Sequence, residues 1–203
     1  VLVEMLMYLE NNSVQQIIRE IEDASGSVKN VECQFLIPSI PPRTFRTEES
    51  LGNSLLSDMA CYPLSLLALA GYDLSNLVLV AGTLKTKKNP TFLIKGKSQK
   101  TNIYIRVGHD SVYRNRLKLE FDDGRQLSCE PFFYGREGYR KLTRANSAGM
   151  LTEQIHETNG YESMFLRKRS EWVATQESRY DALGKVSHSL ETLGRQAGIF
   201  NTF

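Results

Sequence analysis

The chain has 203 residues, with 25 Lys+Arg against 23 Asp+Glu, a formal net charge of +2 and 41% hydrophobic residues. That is enough apolar material for one sizeable core or two small ones. The most apolar stretch, 51–70, carries Asn53, Asp58 and Pro63, so no segment offers the ~18–20 apolar residues of a membrane-spanning helix.

Val1 to Glu10 and Ser13 to Ala24 predict helices, the second with Val14, Ile17, Ile18 and Ile21 at i, i+3, i+4, i+7 spacing. The opening residues Val1–Met5 have neither an initiator Met nor the pattern of a signal peptide, which suggests a piece of a longer chain. Gly26, Pro38, Pro41 and Pro42 predict an irregular connection over 25–47, interrupted by the short apolar run 33–37. Leu51 to Gly71 predicts a buried helix that Pro63 kinks or divides.

From Leu77 the period changes to two. Strands are expected at 77–81, 91–95, 102–107, 116–121 and 126–134, joined by turn signals such as Lys88-Asn89-Pro90 and Asp123-Gly124. Helices are expected again at 147–157, 161–172 and 183–194. The fold class that follows is α+β: an antiparallel β-meander of about five strands packed against helices from both ends of the chain, in one domain over 1–203.

Catalytic motifs are sparse. His109, His156 and His188 have no nucleophile or carboxylate at motif spacing, and Gly96-Lys97-Ser98 fails as a phosphate-binding loop because Thr91 stands where its first glycine is needed and a strand follows. Asp122, Asp123, Glu130 and Glu137 fall in or beside a hairpin turn. Cys33, Cys61 and Cys129 are far apart and form no CxxC pair, which predicts reduced thiols and no zinc site. Charge is the stronger signal. Residues 85–118 hold ten basic side chains against one acid, Asp110, a local +9 that is the footprint of a phosphate-rich partner if it shares one surface. Lys95, Lys97 and Lys100 bracket an expected Gly-Ser turn whose backbone N–H groups could add hydrogen bonds to a phosphate, Tyr104 offers a stacking face, and Arg136, Arg140, Lys141 and Arg144 form a second basic group.

The run Phe92-Leu93-Ile94-Lys95-Gly96-Lys97-Ser98, with the 51–71 helix and the Lys85–Asn89 loop before it, resembles the C-terminal domain of the polymerase acidic subunit of orthomyxoviruses, thogotovirus-like rather than influenza-like. Glu130 to Arg136, Ser170-Glu171-Trp172, Leu183 to Val186 and Ile199 to Asn201 are similar to further parts of that domain. The resemblance implies a fragment of a larger, non-catalytic domain without cofactor or metal, in the host nucleus and the virion. Its partners would be the 5′ end of viral RNA, the catalytic polymerase subunit and the cap-binding subunit, with no membrane. Carried over by position, Lys95, Gly96, Lys97, Ser98, Gln99, Lys100, Arg106 and Arg136 would touch RNA, and Glu171, Trp172 and Arg195 would meet the catalytic subunit. Gln99 and His188 depart from the influenza pattern, at the RNA contact and at docking of the host polymerase tail respectively. The residues alone leave two alternatives: a basic-faced protein-interaction scaffold, and an enzyme using Lys or His in a cleft.

Overall fold

Alternation with period two runs through Val31-Glu32-Cys33-Gln34-Phe35 as clearly as through the later strands, and these residues do form a strand. The computed structural model describes residues 6–24, 27–38, 55–82, 91–109, 112–158 and 176–197. Its strands are β1 Val28–Ile37, β2 Val78–Gly82, β3 Thr91–Ser98, β4 Thr101–His109, β5 Arg114–Phe121, β6 Gln126–Glu130, β7 Gly138–Asn146 and β8 Gly149–Glu157. Helices α1 Asn12–Asp23, α2 Leu55–Leu69 and α3 Gln176–Gln196 and a 3-10 turn over Met7–Glu10 accompany them.

The strands form one eight-stranded sheet in the order β2-β3-β4-β1-β5-β6-β7-β8. β1 runs parallel to β4 and antiparallel to β5, and every other neighbouring pair is antiparallel. The five-stranded antiparallel meander is thereby corrected on three points. β1 fills the centre of the sheet where a connection was expected, β7 lengthens it, and β8 replaces the helix expected over 147–157. The helix expected over 161–172 lies outside the described residues.

Cross-strand partners sort the sheet into two faces. Val31, Ile103, Leu119 and Leu127 form one row, and Cys33, Ile105, Ile94, Leu117 and Cys129 the next; all are buried in one core. The other face carries Lys95, Tyr104, Glu32, Lys118, Ser128 and Thr143 in a single row. α1 buries Val14, Ile17, Ile18 and Ile21, the amphipathic stripe read from the sequence. α2 is apolar nearly all round because it is covered on both sides, by β4 and by α3. Each such buried Leu or Ile contributes roughly 1.5–3 kcal/mol.

The two edges differ. β2 is five residues long, has a register shift between Leu79 and Ala81, and donates its Leu79 amide to Gln196 Oε1 at 2.7 Å. β8 is nine residues long and pairs with β7 without irregularity.

Candidate active site

Within α2 the half-buried residues Ser57, Asp58, Cys61 and Tyr62 interrupt an otherwise apolar surface. Positions i, i+1, i+4 and i+5 lie on one side of a helix, so a carboxylate, a thiol and a phenol share a single stripe one turn long. The Cys61 thiol donates to the Asp58 carbonyl at 3.3 Å.

Tyr62 projects into an aromatic corner. Its ring centroid is 5.1 Å from Phe35, 5.7 Å from Tyr8 and 6.5 Å from Phe133, with the two phenylalanine rings edge-on to it. The two phenols differ in kind. The Tyr8 hydroxyl is fully buried, donates to the Tyr62 carbonyl at 2.8 Å and lies 3.0 Å from Ser65 Oγ. Burial pushes its pKa well above the usual phenol value, so its proton is a structural one. Tyr62 is half-buried, and a phenol so placed can hand a proton to a bound molecule.

The far wall is the segment 131–134, whose backbone is held by two buried polar side chains. Asn115, with no exposure, accepts from the amides of Phe132 and Phe133 at 3.0 and 2.6 Å and donates to the Phe133 carbonyl at 3.1 Å. Arg140, 2% exposed, donates to the carbonyls of Pro131 and Phe132 at 2.5 Å and to that of Tyr134. Burial pulls the Arg140 pKa below its usual value, opposed by the nearby Cys129 and Glu157, yet a guanidinium stays charged across the working range.

The residues singled out from the sequence fall elsewhere. Lys95, Lys97, Arg106, Arg116 and Lys118 do share the outer sheet face, as their registers show. The local +9 is diluted there, however, because β1 inserts Glu32 between the basic strands, where it pairs with Arg116 at 3.6 Å. Gly96 and Ser98 are not in a turn. Gly96 sits mid-strand because a Cβ would meet the Asn76 carbonyl oxygen and Leu77 Cδ2, both at 2.7 Å, and the Ser98 hydroxyl accepts from the Asp73 amide at 2.9 Å. The turn is Gln99-Lys100, with Gln99 at φ 51°. Lys100 and Arg136 are exposed. Arg195, in the last turn of α3, pairs with Glu191 at 2.5 Å. Glu171 and Trp172 lie outside the described residues. Sequence reasoning missed Asp58 and Tyr62, whose signal was two polar groups one turn apart in a helix that otherwise has almost none.

Among the described residues no cluster of His, Cys, Asp or Glu is placed to hold a metal. A dinucleotide fits no better. Its pyrophosphate needs a Gly-x-Gly-x-x-Gly turn between a parallel strand and a helix, whereas the sequence has no Gly-x-Gly at all and the described sheet has one parallel pair, β1 with β4.

No family model and no curated protein matches the sequence. Solved structures do. The 3-ketoreductase KijD10 from Actinomadura kijaniata, in complex with NADP and TDP-benzene, matches 93% of this chain at 17% identity with a TM-score of 0.73. Its tyrosine-to-phenylalanine variant in the same complex matches with a TM-score of 0.72. The aldose-aldose oxidoreductase from Caulobacter crescentus, complexed with glycerol, matches 95% at 17% identity with a TM-score of 0.71. The chain spans 60% of the length of each. The fold is therefore that of a part of these oxidoreductases and not of a viral polymerase subunit. The polymerase resemblance is corrected, and with it the non-catalytic role and the partners it implied: viral RNA, the catalytic subunit and the cap-binding subunit.

Proposed function

We propose that the chain is the sheet-bearing part of a nicotinamide-dependent oxidoreductase that reduces the carbonyl of a sugar or nucleotide sugar, with Tyr62 as the proton donor to the carbonyl oxygen. The observation that carries this is the fold match over 93% of the chain to a 3-ketoreductase. Carbonyl reduction builds negative charge on oxygen as carbon is reduced, and a positioned acid that neutralises it accelerates the step by about 10²–10⁴. Tyr62 supplies such an acid, half-buried in an apolar corner that excludes water from one side. Asp58, one turn earlier on the same side of α2, would offer a carboxylate to the sugar's hydroxyls.

The test is oxidation of NADPH or NADH by the protein in the presence of keto and aldehyde sugars, free and nucleotide-linked. Turnover that falls by about 10²-fold or more in Tyr62→Phe, with the fold retained, supports the proposal. Absence of turnover with every sugar carbonyl, or a Tyr62→Phe variant as fast as the parent, overturns it.

A further inference from the structure

We infer that Asn115 and Arg140 are positioning residues for Tyr62, acting through the ring of Phe133; this rests on the reading of Tyr62 as proton donor. Two fully or nearly fully buried polar side chains direct their hydrogen bonds to the backbone of one four-residue segment, 131–134. Phe132 and Phe133 are themselves buried and would hold the segment in the core by apolar contact alone. Apolar contact is non-directional, so what the six hydrogen bonds add is orientation. Burying an amide and a guanidinium is costly unless their polar atoms are paired. The segment's amides and carbonyls take the Asn115 amide and both Arg140 Nη groups, while Arg140 Nε makes no hydrogen bond among the described residues and faces Glu157 Oε1 at 3.8 Å.

The orientation is passed to Tyr62 by rings. Phe133 meets the Tyr62 ring edge-on at an interplanar angle of 74°, and Phe35 meets it at 70°. Phe35 and Phe133 touch each other at 5.8 Å, closing a triangle of three rings. Asn115 enters this triangle twice, because it is also the cross-strand partner of Phe35. One side chain thus fixes the segment that carries one wall and neighbours the strand residue that forms the other. A phenol between two edge-on rings keeps its ring plane, and hence the direction in which its hydroxyl points. Misplacement of a reacting group by about 1 Å can cost about 10²-fold in rate.

The experiment incorporates fluorotyrosine into the full protein, assigns the Tyr62 resonance by its loss in Tyr62→Phe, and compares parent, Phe133→Leu and Asn115→Ala by fluorine NMR and by sugar-carbonyl reduction. Phe133→Leu leaves both polar side chains their backbone partners and removes only the ring, so it decides the matter if Asn115→Ala does not fold. In folded variants the Tyr62 resonance is expected to shift or broaden, and kcat to fall roughly tenfold to a hundredfold with KM for the nicotinamide unchanged. A Tyr62 resonance unmoved in folded Phe133→Leu overturns the inference, as does a moved resonance with unchanged kcat. A parent protein that reduces no sugar carbonyl overturns the proton-donor reading itself, a result independent of whether the Tyr62 resonance responds to Phe133.

Discussion

Arg140 and Glu157 form a buried ion pair, with Nε and Oε1 3.8 Å apart and side chains 2% and 3% exposed. Each partner also binds backbone elsewhere. Glu157 accepts from the amides of Asn12 and Ser13 at 3.2 and 2.9 Å, capping α1 where Asn11 offers no side-chain cap, and Arg140 grips the 131–134 carbonyls. One pair therefore joins the β7–β8 hairpin, the first helix and the aromatic wall beside Tyr62.

Removing the cation is expected to cost more than removing the anion's charge. Arg140→Met leaves a buried carboxylate beside three carbonyls that have lost their donor, a loss of about 3–5 kcal/mol. Glu157→Gln keeps an oxygen for the α1 amides, and Arg140 keeps its carbonyls, so about 1–3 kcal/mol is expected. Urea midpoints at unchanged m-value measure both. Equal losses would mean that the carbonyl contacts carry little of the effect.

At the former phosphate-site candidate the order of severity is reversed from what a binding motif would suggest. Gly96→Ala drives a methyl to within 2.7 Å of the Asn76 carbonyl oxygen, which is backbone and cannot swing aside. Overpacking of this kind costs about 1–3 kcal/mol. Lys95 and Lys97 are exposed, so Lys95→Ala and Lys97→Ala should each change stability by no more than ~0.5 kcal/mol. Thermal unfolding of the three variants checks the ranking, and a Gly96→Ala protein as stable as the lysine variants would contradict it.

What the sequence made legible follows burial on one face. β3 to β6 and α1 were readable because each has one covered and one open side, which prints a period of two or of 3.6. β8 failed because it is an edge strand exposed on both sides over most of its length, so Leu151 and Ile155, four apart, imitated a helix. β1 failed for a different reason. Its alternation is present, but the parallel partner β4 lies more than sixty residues away, and no local turn announces a strand inserted into the middle of a sheet. The same insertion alters the charge of the basic face, since Glu32 joins it only once β1 is placed between β4 and β5. The Tyr62 corner was illegible because its walls come from the 3-10 turn, β1, α2 and the segment after β6, which only the fold brings together.

The thiols should separate by place. None of the three cysteines forms a disulfide; Cys33 and Cys129 are buried and Cys61 is half-buried on the α2 stripe. In the native protein a small disulfide reagent should label Cys61 alone, the other two following only on unfolding. Because Cys61 adjoins Tyr62, a bulky adduct there should suppress sugar-carbonyl reduction, and Cys61→Ala should be immune to the reagent. Rapid native labelling of two or more thiols would contradict the burial.

Alkaline pH should destabilise the protein, through thiols and phenols that burial keeps protonated. Burial pushes the Cys129 thiol from 9.0 up to about 11 and the Tyr72 phenol from 10.0 up to about 12, and raises Cys33 and Tyr8 as well. All four are groups whose folded pKa lies above the unfolded value, so the stability tied to their protonated forms is complete below the unfolded pKa and is lost as pH rises through the folded one. The loss should therefore begin near pH 9 and steepen towards pH 11 to 12, the window set by Cys129 and Tyr72. Each group ionised in the unfolded but not the folded state adds about 1.4 kcal/mol per pH unit to the slope. Urea midpoints between pH 7 and 11 measure it, with Cys33→Ala and Cys129→Ala as controls that each lower stability at neutral pH but flatten its decline. A midpoint that stays level to pH 11 in the parent would show that these thiols and phenols are reached by water in the folded state.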